Sequence, residues 1–433
     1  MEVSKVSKEN GEFYDYPTEP VPQSERRTLY NLSVVTAGLA VAMSTLYTGA
    51  SLAQMLTYKG AVISILIGCC VLFLIAGILG AIGTETGVCF SVLARHSFGR
   101  DGSKIIGLIW TVSLTGWYAY QCGFFGETIN LIWPDYFLTQ PHIAAFWGGL
   151  VMMTTAIIGY KGLSFLSSIA SPLIFIMCLW GSIVAFNQVG LSKIISRVPK
   201  NPAGFGTGIT IVIGGWIIGA IMQPDVARYA KSKKDIWLAT GIAMIVFAFA
   251  NFAGMTMTKA VQTDTIMAAM IALQMGIAPL FIVILAQWTS NDNNLYSASL
   301  GVTNVFNFSK HKVSLVLGIA ATVIATFGIE DLFVPFLNFL GTFIPPIGGI
   351  IMADYYLLNK KDTYTFDQNT TYKQWNLLAF ITILLSALIG FNLDFGISAI
   401  NSLISGSVIY WVLMNIAEKK KFDPYYGRVI EHK

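Results

Sequence analysis

Gly60-Ala-Val-Ile-Ser-Ile-Leu-Ile-Gly-Cys-Cys-Val-Leu-Phe-Leu-Ile-Ala-Gly-Ile-Leu-Gly80 is a run of 21 residues without a single charge. As a helix it is about 30 Å long, the thickness of the hydrocarbon core of a bilayer. Its apolar residues do not alternate with polar ones, which argues against a strand of a membrane barrel. Outward from it, the same signature recurs about twelve times along the chain. The segments lie near 30–57, 60–83, 104–131, 140–159, 163–187, 206–228, 236–258, 277–302, 312–328, 331–356, 374–392 and 396–416. A further apolar stretch at 264–275 is too short to span and is expected to lie along the interface or to cover a helix. The chain reads as an all-α polytopic membrane protein.

Composition agrees. The 433 residues are 55% hydrophobic and 12% charged, whereas about 25% of the residues of a soluble domain carry charge. The net charge is only +4 and the basic residues lie between apolar runs, so nucleic-acid binding finds no support. Cys69, Cys70, Cys89, Cys122 and Cys178 sit in apolar stretches without metal-ligand spacing and read as small hydrophobes in helix packing. No phosphate loop, metal cluster or nucleophile triad is present in the sequence, so an enzyme has no residues to stand on. Residues 1–28 are polar and lack a signal-peptide core; they are expected to form an exposed cytoplasmic tail, as are residues 417–433.

Orientation follows from the basic residues, which gather in cytoplasmic loops. With both termini inside, 22 of the 27 Lys and Arg fall on the inner side, leaving Lys59, Lys193, Arg197, Lys200 and Lys259 outside. The cluster at 193–200 is the exception to the rule. A two-times-six transporter carries a long connection between spans six and seven, but here it is only about Ala230 to Asp235. The longest polar gaps follow spans five and ten, which suggests a ten-helix core plus two added helices.

Backbone polar groups must be satisfied in lipid, so a break inside a span is tolerated only where it faces protein, water or an ion. Span one carries Gly38 near its middle, with Ser44, Thr45 and Thr48 beyond it; span six carries Gly214-Gly215-Trp216 at mid-depth. Each glycine could instead serve close helix packing. Trp117 and Gln121 in span three share a helix face, and Trp117 and Trp216 fall near mid-span, away from the interfacial belt. Two indoles and an amide suit a flat heteroaromatic ligand. In span eight, Ala286-Gln-Trp-Thr-Ser-Asn-Asp-Asn-Asn-Leu-Tyr-Ser297 is a polar cluster between apolar runs, affordable only beside a wet cavity or an ion. Thr289 and Ser290 offer neutral hydroxyl oxygens for a small hard cation. Asp225 is expected to pair with Arg228 at a helix end, with a proton-coupling site as the alternative, and Glu127 and Asp354 to sit at the membrane faces.

Several ordered motifs resemble those of the nucleobase:cation symporters, with the bacterial cytosine permeases as the nearest branch. They are Pro20-Val-Pro-Gln-Ser-Glu-Arg-Arg27, Ala94-Arg-His-Ser-Phe-Gly99, Asp225-Val-Ala-Arg-Tyr229, Trp288-Thr-Ser-Asn-Asp-Asn293 and Ile344-Pro-Pro-Ile-Gly-Gly-Ile-Ile-Met-Ala-Asp-Tyr355. The resemblance implies a leucine-transporter-like fold of five plus five inverted helices, about 30–187 and 206–356 within a core of 29–356, with two peripheral helices in 357–416. It implies sodium held by backbone carbonyls at Gly38, Val41 and Ala286 and by the hydroxyls of Thr289 and Ser290. It also implies a substrate stacked on Trp117 and capped by Trp216 beside Gly215.

The departures bear on substrate. Cytosine permeases carry a Gln three residues before the span-three Trp, an Asn two before the span-eight Trp and a Ser-Phe pair in span six. Here those places hold Leu114, Ala286 and Gly215-Trp216. The Gln121 and Gly215-Trp216 arrangement is closer to the hydantoin permeases, whose further span-eight Asn falls near Leu295, with Asn291 and Asn294 as neighbours. The expectation is a monomeric secondary transporter of the cell membrane, importing cytosine or a related nucleobase with sodium. Hydantoin or allantoin as substrate, and the proton as coupling ion, are the alternatives. A channel would need polar residues along one continuous path, and a receptor a sizeable soluble domain.

Overall fold

The uncharged run folds as a single helix, Tyr58–Thr86. Thr57 starts it by accepting a hydrogen bond from the Gly60 amide at 3.2 Å, and Gly87 ends it in the left-handed conformation (φ 73°) that glycine adopts without steric cost. Ile63, Leu66 and Leu74 face outward while Ile65, Leu72 and Leu79 are buried, as lipid-facing and bundle-facing sides require. The computed structural model describes residues 16, 19–40, 42–158, 160–306, 308–358, 364, 366 and 372–426. Val41, most of the N-terminal tail, residues 427–433 and the loop lysines Lys360 and Lys361 lie outside the described residues.

All twelve expected segments are helical. Span one is α1 (Leu29–Ala40) and α2 (Met43–Met55); span two is α3 (Tyr58–Thr86). A short α4 (Phe90–Phe98) precedes span three, α5 (Arg100–Ile132). Spans four and five are α6 (Pro141–Ile158) and α7 (Tyr160–Val189), followed by a short α8 (Leu191–Ser196). Span six is α9 (Phe205–Ile221) and α10 (Gln223–Ala227), and span seven is α11 (Lys233–Val261). The 264–275 stretch forms α12 (Ile266–Ala272), with Ile266, Met267, Ala269 and Met270 buried. It lies against α2, α5, α11 and α13, as expected of a segment that covers helices. Span eight is α13 (Ala278–Phe306), span nine α14 (Lys310–Ala325), and span ten α15 (Phe333–Phe343) with α16 (Pro345–Met352) and a π-helical turn at Ala353–Leu357. The last two spans are α17 (Leu377–Asn392) and α18 (Ser398–Lys419). Among the described residues five helices are long and apolar enough to cross a membrane on length and composition alone, or six with the bent pair α1–α2. The other spans are shorter or carry the polar residues of the centre.

The two glycine sites behave differently. Gly38 is helical and ends the straight first part of span one, which bends by 56° between Leu29–Gly38 and Met43–Met55, with Ala42 extended. Span six runs unbroken through Gly214 and Gly215 and turns only at Met222, ahead of Pro224. The reason is packing. A methyl at Gly214 would lie 1.9 Å from the Leu337 carbonyl oxygen, and one at Gly341 would lie 2.3 Å from the Thr210 carbonyl oxygen. Gly214 and, opposite it, Gly341 let α9 and α15 touch backbone to backbone.

Polar ties hold the two faces. Arg26 donates to the carbonyls of Thr84 (2.9 Å) and Ala230 (3.0 Å), stapling the ends of spans two and six to the N-terminal segment. At the other face two of the basic residues left outside are engaged. Lys259 Nζ donates to the carbonyls of Ala53 (2.9 Å) and Leu56 (2.5 Å), closing the C-terminal end of α2, and Lys200 pairs with Asp264 at 2.8 Å. Asp354 is fully buried in the protein and accepts from Ser97 (3.2 Å), Tyr364 (2.5 Å) and Tyr410 (2.9 Å), tying span twelve to α4 and span ten.

Candidate substrate and cation site

A cavity of about 290 Å³ lies where α1, α2, α5, α9 and α13 meet, near the lower end of the range for small-ligand sites. Gly38, Trp117, Gln121, Gly215, Trp216, Thr289, Ser290 and Asn294 all line it. Sequence spacing placed them far apart along the chain; the fold gathers them at one depth.

The organic half is built by α5 and α9. Trp117 and Trp216 are each 7% exposed. Trp117 is held edge-on by Phe333 and Phe336, with ring centroids 6.0 and 5.2 Å away. One turn on, Gln121 is buried, and its Oε1 has no hydrogen-bond partner among the described residues. A buried amide oxygen without a donor costs free energy until a ligand supplies one. Gly215 leaves room on the α9 wall, its nearest neighbour in the side-chain direction being Thr48 Oγ1 at 3.4 Å.

The oxygens that could hold a cation are neutral. The last four carbonyls of α1 have no partner within their helix, and Gly38 is among these residues although the bend lies beyond it. They form the negative end of the helix dipole. Thr45 Oγ1 donates to the Ala40 carbonyl at 3.2 Å, which fixes the bend. Across the cavity Thr289 Oγ1 donates to the Ala286 carbonyl at 3.0 Å, so two expected ligand oxygens are adjacent, although Ala286 itself is buried behind the wall. Carbonyls and hydroxyls without a carboxylate are a donor set that fits a small hard monovalent cation.

Asn291 departs from the expected set. It is fully buried behind the wall, and its amide donates to Cys122 Sγ (3.3 Å) and Met152 Sδ (3.2 Å). Asp292 also faces away, accepting from Thr155 Oγ1 at 2.7 Å, while Trp288 Nε1 donates to the same hydroxyl at 2.8 Å. These residues tie span eight to span four. The helical period divides the polar cluster: Thr289, Ser290, Asn293, Asn294 and Ser297 face the cavity, and Gln287, Asn291 and Asp292 face the scaffold. Asn293 and Ser297 were missed, yet their spacing of four from Thr289 and from Asn293 was the available signal.

The two ends of the cavity are unlike. Towards α10 it is lined by Met222, Gln223, Asp225 and Val226. Asp225 Oδ1 accepts from the Phe90 amide at 2.7 Å and so caps α4 from outside, while Arg228 Nε donates to the Asp225 carbonyl and Nη1 to the Tyr16 carbonyl. Beyond Trp117, towards α12, aromatic rings cluster: Phe333 packs against Trp117 and edge-on against Phe124 at 5.1 Å, and Tyr47 stacks on Phe124 at 3.6 Å.

Comparison with known proteins agrees with this architecture. The family model described as permease for cytosine/purines, uracil, thiamine, allantoin matches residues 20–413. The cytosine permease of Escherichia coli K12 is 32% identical over 416 residues, covering 93% of this chain and 94% of the relative. The fold matches the inward facing conformation of Mhp1 with a TM-score of 0.79 at 19% identity, over 94% of this chain and 95% of that one. It also matches Mhp1, a nucleobase-cation-symport-1 family transporter, in a closed conformation with bromovinylhydantoin bound, with a TM-score of 0.77 at 18% identity over 95% and 97%. The shared fold is leucine-transporter-like and polytopic. The chain belongs to the nucleobase:cation symporter family, and is a multi-pass membrane transporter and not an enzyme.

Proposed function

We propose that this protein imports a planar nucleobase, cytosine or a related pyrimidine or purine, by sodium-coupled symport with alternating access. The observation that carries the reading is the cavity lined by two indoles and by Gln121, whose buried amide oxygen has no hydrogen-bond partner among the described residues. The rings provide stacking surface, and the amide selects ligands with a donor in the right place. Sodium is held between the last carbonyls of α1, Gly38 among them, and the Ala286, Thr289 and Ser290 oxygens of α13. Bound there, it fixes span one against span eight and favours the state that accepts substrate.

In the orientation that puts most basic residues inside, both termini are cytoplasmic, and the cavity end at Gln223 and Asp225 faces the cytoplasm. The aromatic stack of Tyr47, Phe124 and Phe333 then closes the outer side. The repeats at about 30–187 and 206–356 rock against each other around the site, and the protein works as a monomer, with 357–416 peripheral. Hydantoin or allantoin is the second substrate reading, favoured by Leu114 and Gly215-Trp216 on the cavity wall.

The test is uptake and thermal-shift profiling of the purified protein against cytosine, uracil, purines, hydantoins and allantoin, with and without sodium. Sodium-dependent stabilisation by at least one planar base is expected. Equal uptake in sodium-free buffer would end the sodium reading, and preference for a sugar or a non-planar amino acid would end the substrate class.

A further inference from the structure

Four glycines line the cavity, and their missing side chains do different things. Gly38 has open space around it, Gly215 has ordinary contact distances, and Gly214 is turned towards the α15 backbone. Gly219 is different. A methyl placed on it would lie 2.8 Å from Trp216 Cε2, 2.9 Å from Nε1 and 3.2 Å from Cδ2. The indole of Trp216 therefore lies back along its own helix, over the bare backbone one turn further on. Phe247 stands on another side of the indole with ring centroids 6.4 Å apart. A bicyclic ring has no flexible end that could yield to a new methyl, so it must swing as a whole. The cavity is the open space available to it.

We propose that Gly219 is a specificity-determining positioning residue: its bare backbone seats the Trp216 indole flat on α9 and thereby sets the width of the slot opposite Trp117. The assignment of the slot to planar heterocycles rests on the function proposed above; the seat itself does not. A side chain at 219 tilts the indole into the cavity. Bicyclic ligands lose space first, and monocyclic ones keep most of theirs.

The experiment uses the full chain with Gly219→Ala, Trp216→Phe and the double variant. Without ligand, the emission of Trp216 is obtained as the difference between chains with and without Trp216→Phe. Adding Gly219→Ala should shift that emission, because the indole leaves its seat for the cavity; no shift overturns the seat whatever the substrate proves to be. With ligand, Gly219→Ala should raise the Kd of a purine or substituted hydantoin about tenfold, within the cost of one extra buried methyl, and that of a monocyclic base less. In the Trp216→Phe background Gly219→Ala should have little further effect. An equal effect in both backgrounds would show that the indole is not what the methyl meets, and would overturn the proposal. Should Gly219→Ala alone fail to fold, recovery by Trp216→Ala places the clash on the indole, and no recovery places it elsewhere and sinks the idea. If the emission shifts but no planar base binds even the wild type, the seat stands and the substrate reading falls.

Discussion

Span one bends by 56° between Gly38 and Met43, whereas span six runs straight through Gly214 and Gly215 and turns only at Met222. Both spans reach the same cavity and both bring glycine to it, but they supply different chemistry. The bend leaves the carbonyls of α1 without helical partners, which suits a cation. The straight α9 keeps its carbonyls in the helix and offers a smooth wall and one indole, which suits a flat organic molecule. Gly38 has nothing within 4 Å in its side-chain direction; Gly214 has the Leu337 carbonyl oxygen at 1.9 Å. A glycine in a membrane helix thus marks a break, a close approach or neither, and its neighbour decides which.

The contrast is sharpest at Gly214. Gly214→Ala pushes a methyl into the α15 backbone, which cannot rotate away, so the loss should reach or exceed about 3 kcal/mol, the upper part of the overpacking range. It is measured as lost folded yield or a lowered melting temperature in detergent. A wild-type melting curve would break the account of span six as a packing surface.

The next largest effect belongs to the organic half. Trp117→Ala should weaken every accepted ligand by about 1 to 3 kcal/mol, the worth of one aromatic stacking partner, or roughly five- to 150-fold in Kd. Unchanged affinity across the panel would remove Trp117 from the binding surface.

On the cation half, Thr289→Ala removes one neutral oxygen beside the Ala286 carbonyl. The sodium concentration for half-maximal uptake should rise about tenfold, equivalent to about 1.4 kcal/mol, with the fold intact. Asn291→Ala separates wall from scaffold on the same helix. It should lower stability through its lost contacts to Cys122 and Met152 while leaving the sodium requirement alone.

Gly38→Ala should do least. The space around it is open, the carbonyl is kept, and alanine favours the helical backbone by about 0.5 to 1 kcal/mol. Uptake should stay near wild type with equal or slightly raised melting. A collapse of uptake would show that span one must flex at Gly38 itself.

The sequence was enough for the spans, because a bilayer demands long uncharged helices and the chain has few other places for its 55% of hydrophobic residues. It was also enough for the candidates: mid-span tryptophans and a polar cluster inside an apolar helix are costly in lipid and point to a cavity. Which side of the cluster faces that cavity was legible in the helical period, and reading Asn291 as a ligand overlooked it. The location of the bend, the role of the double glycine, the buried ties of Asp354 and the seat under Trp216 were decided only in the tertiary structure. Each depends on what stands opposite a residue: a carbonyl of another helix against Gly214, tyrosines of distant segments around Asp354, an indole over Gly219. Local spacing fixes which residues share a helix face, but long-range packing supplies the partner.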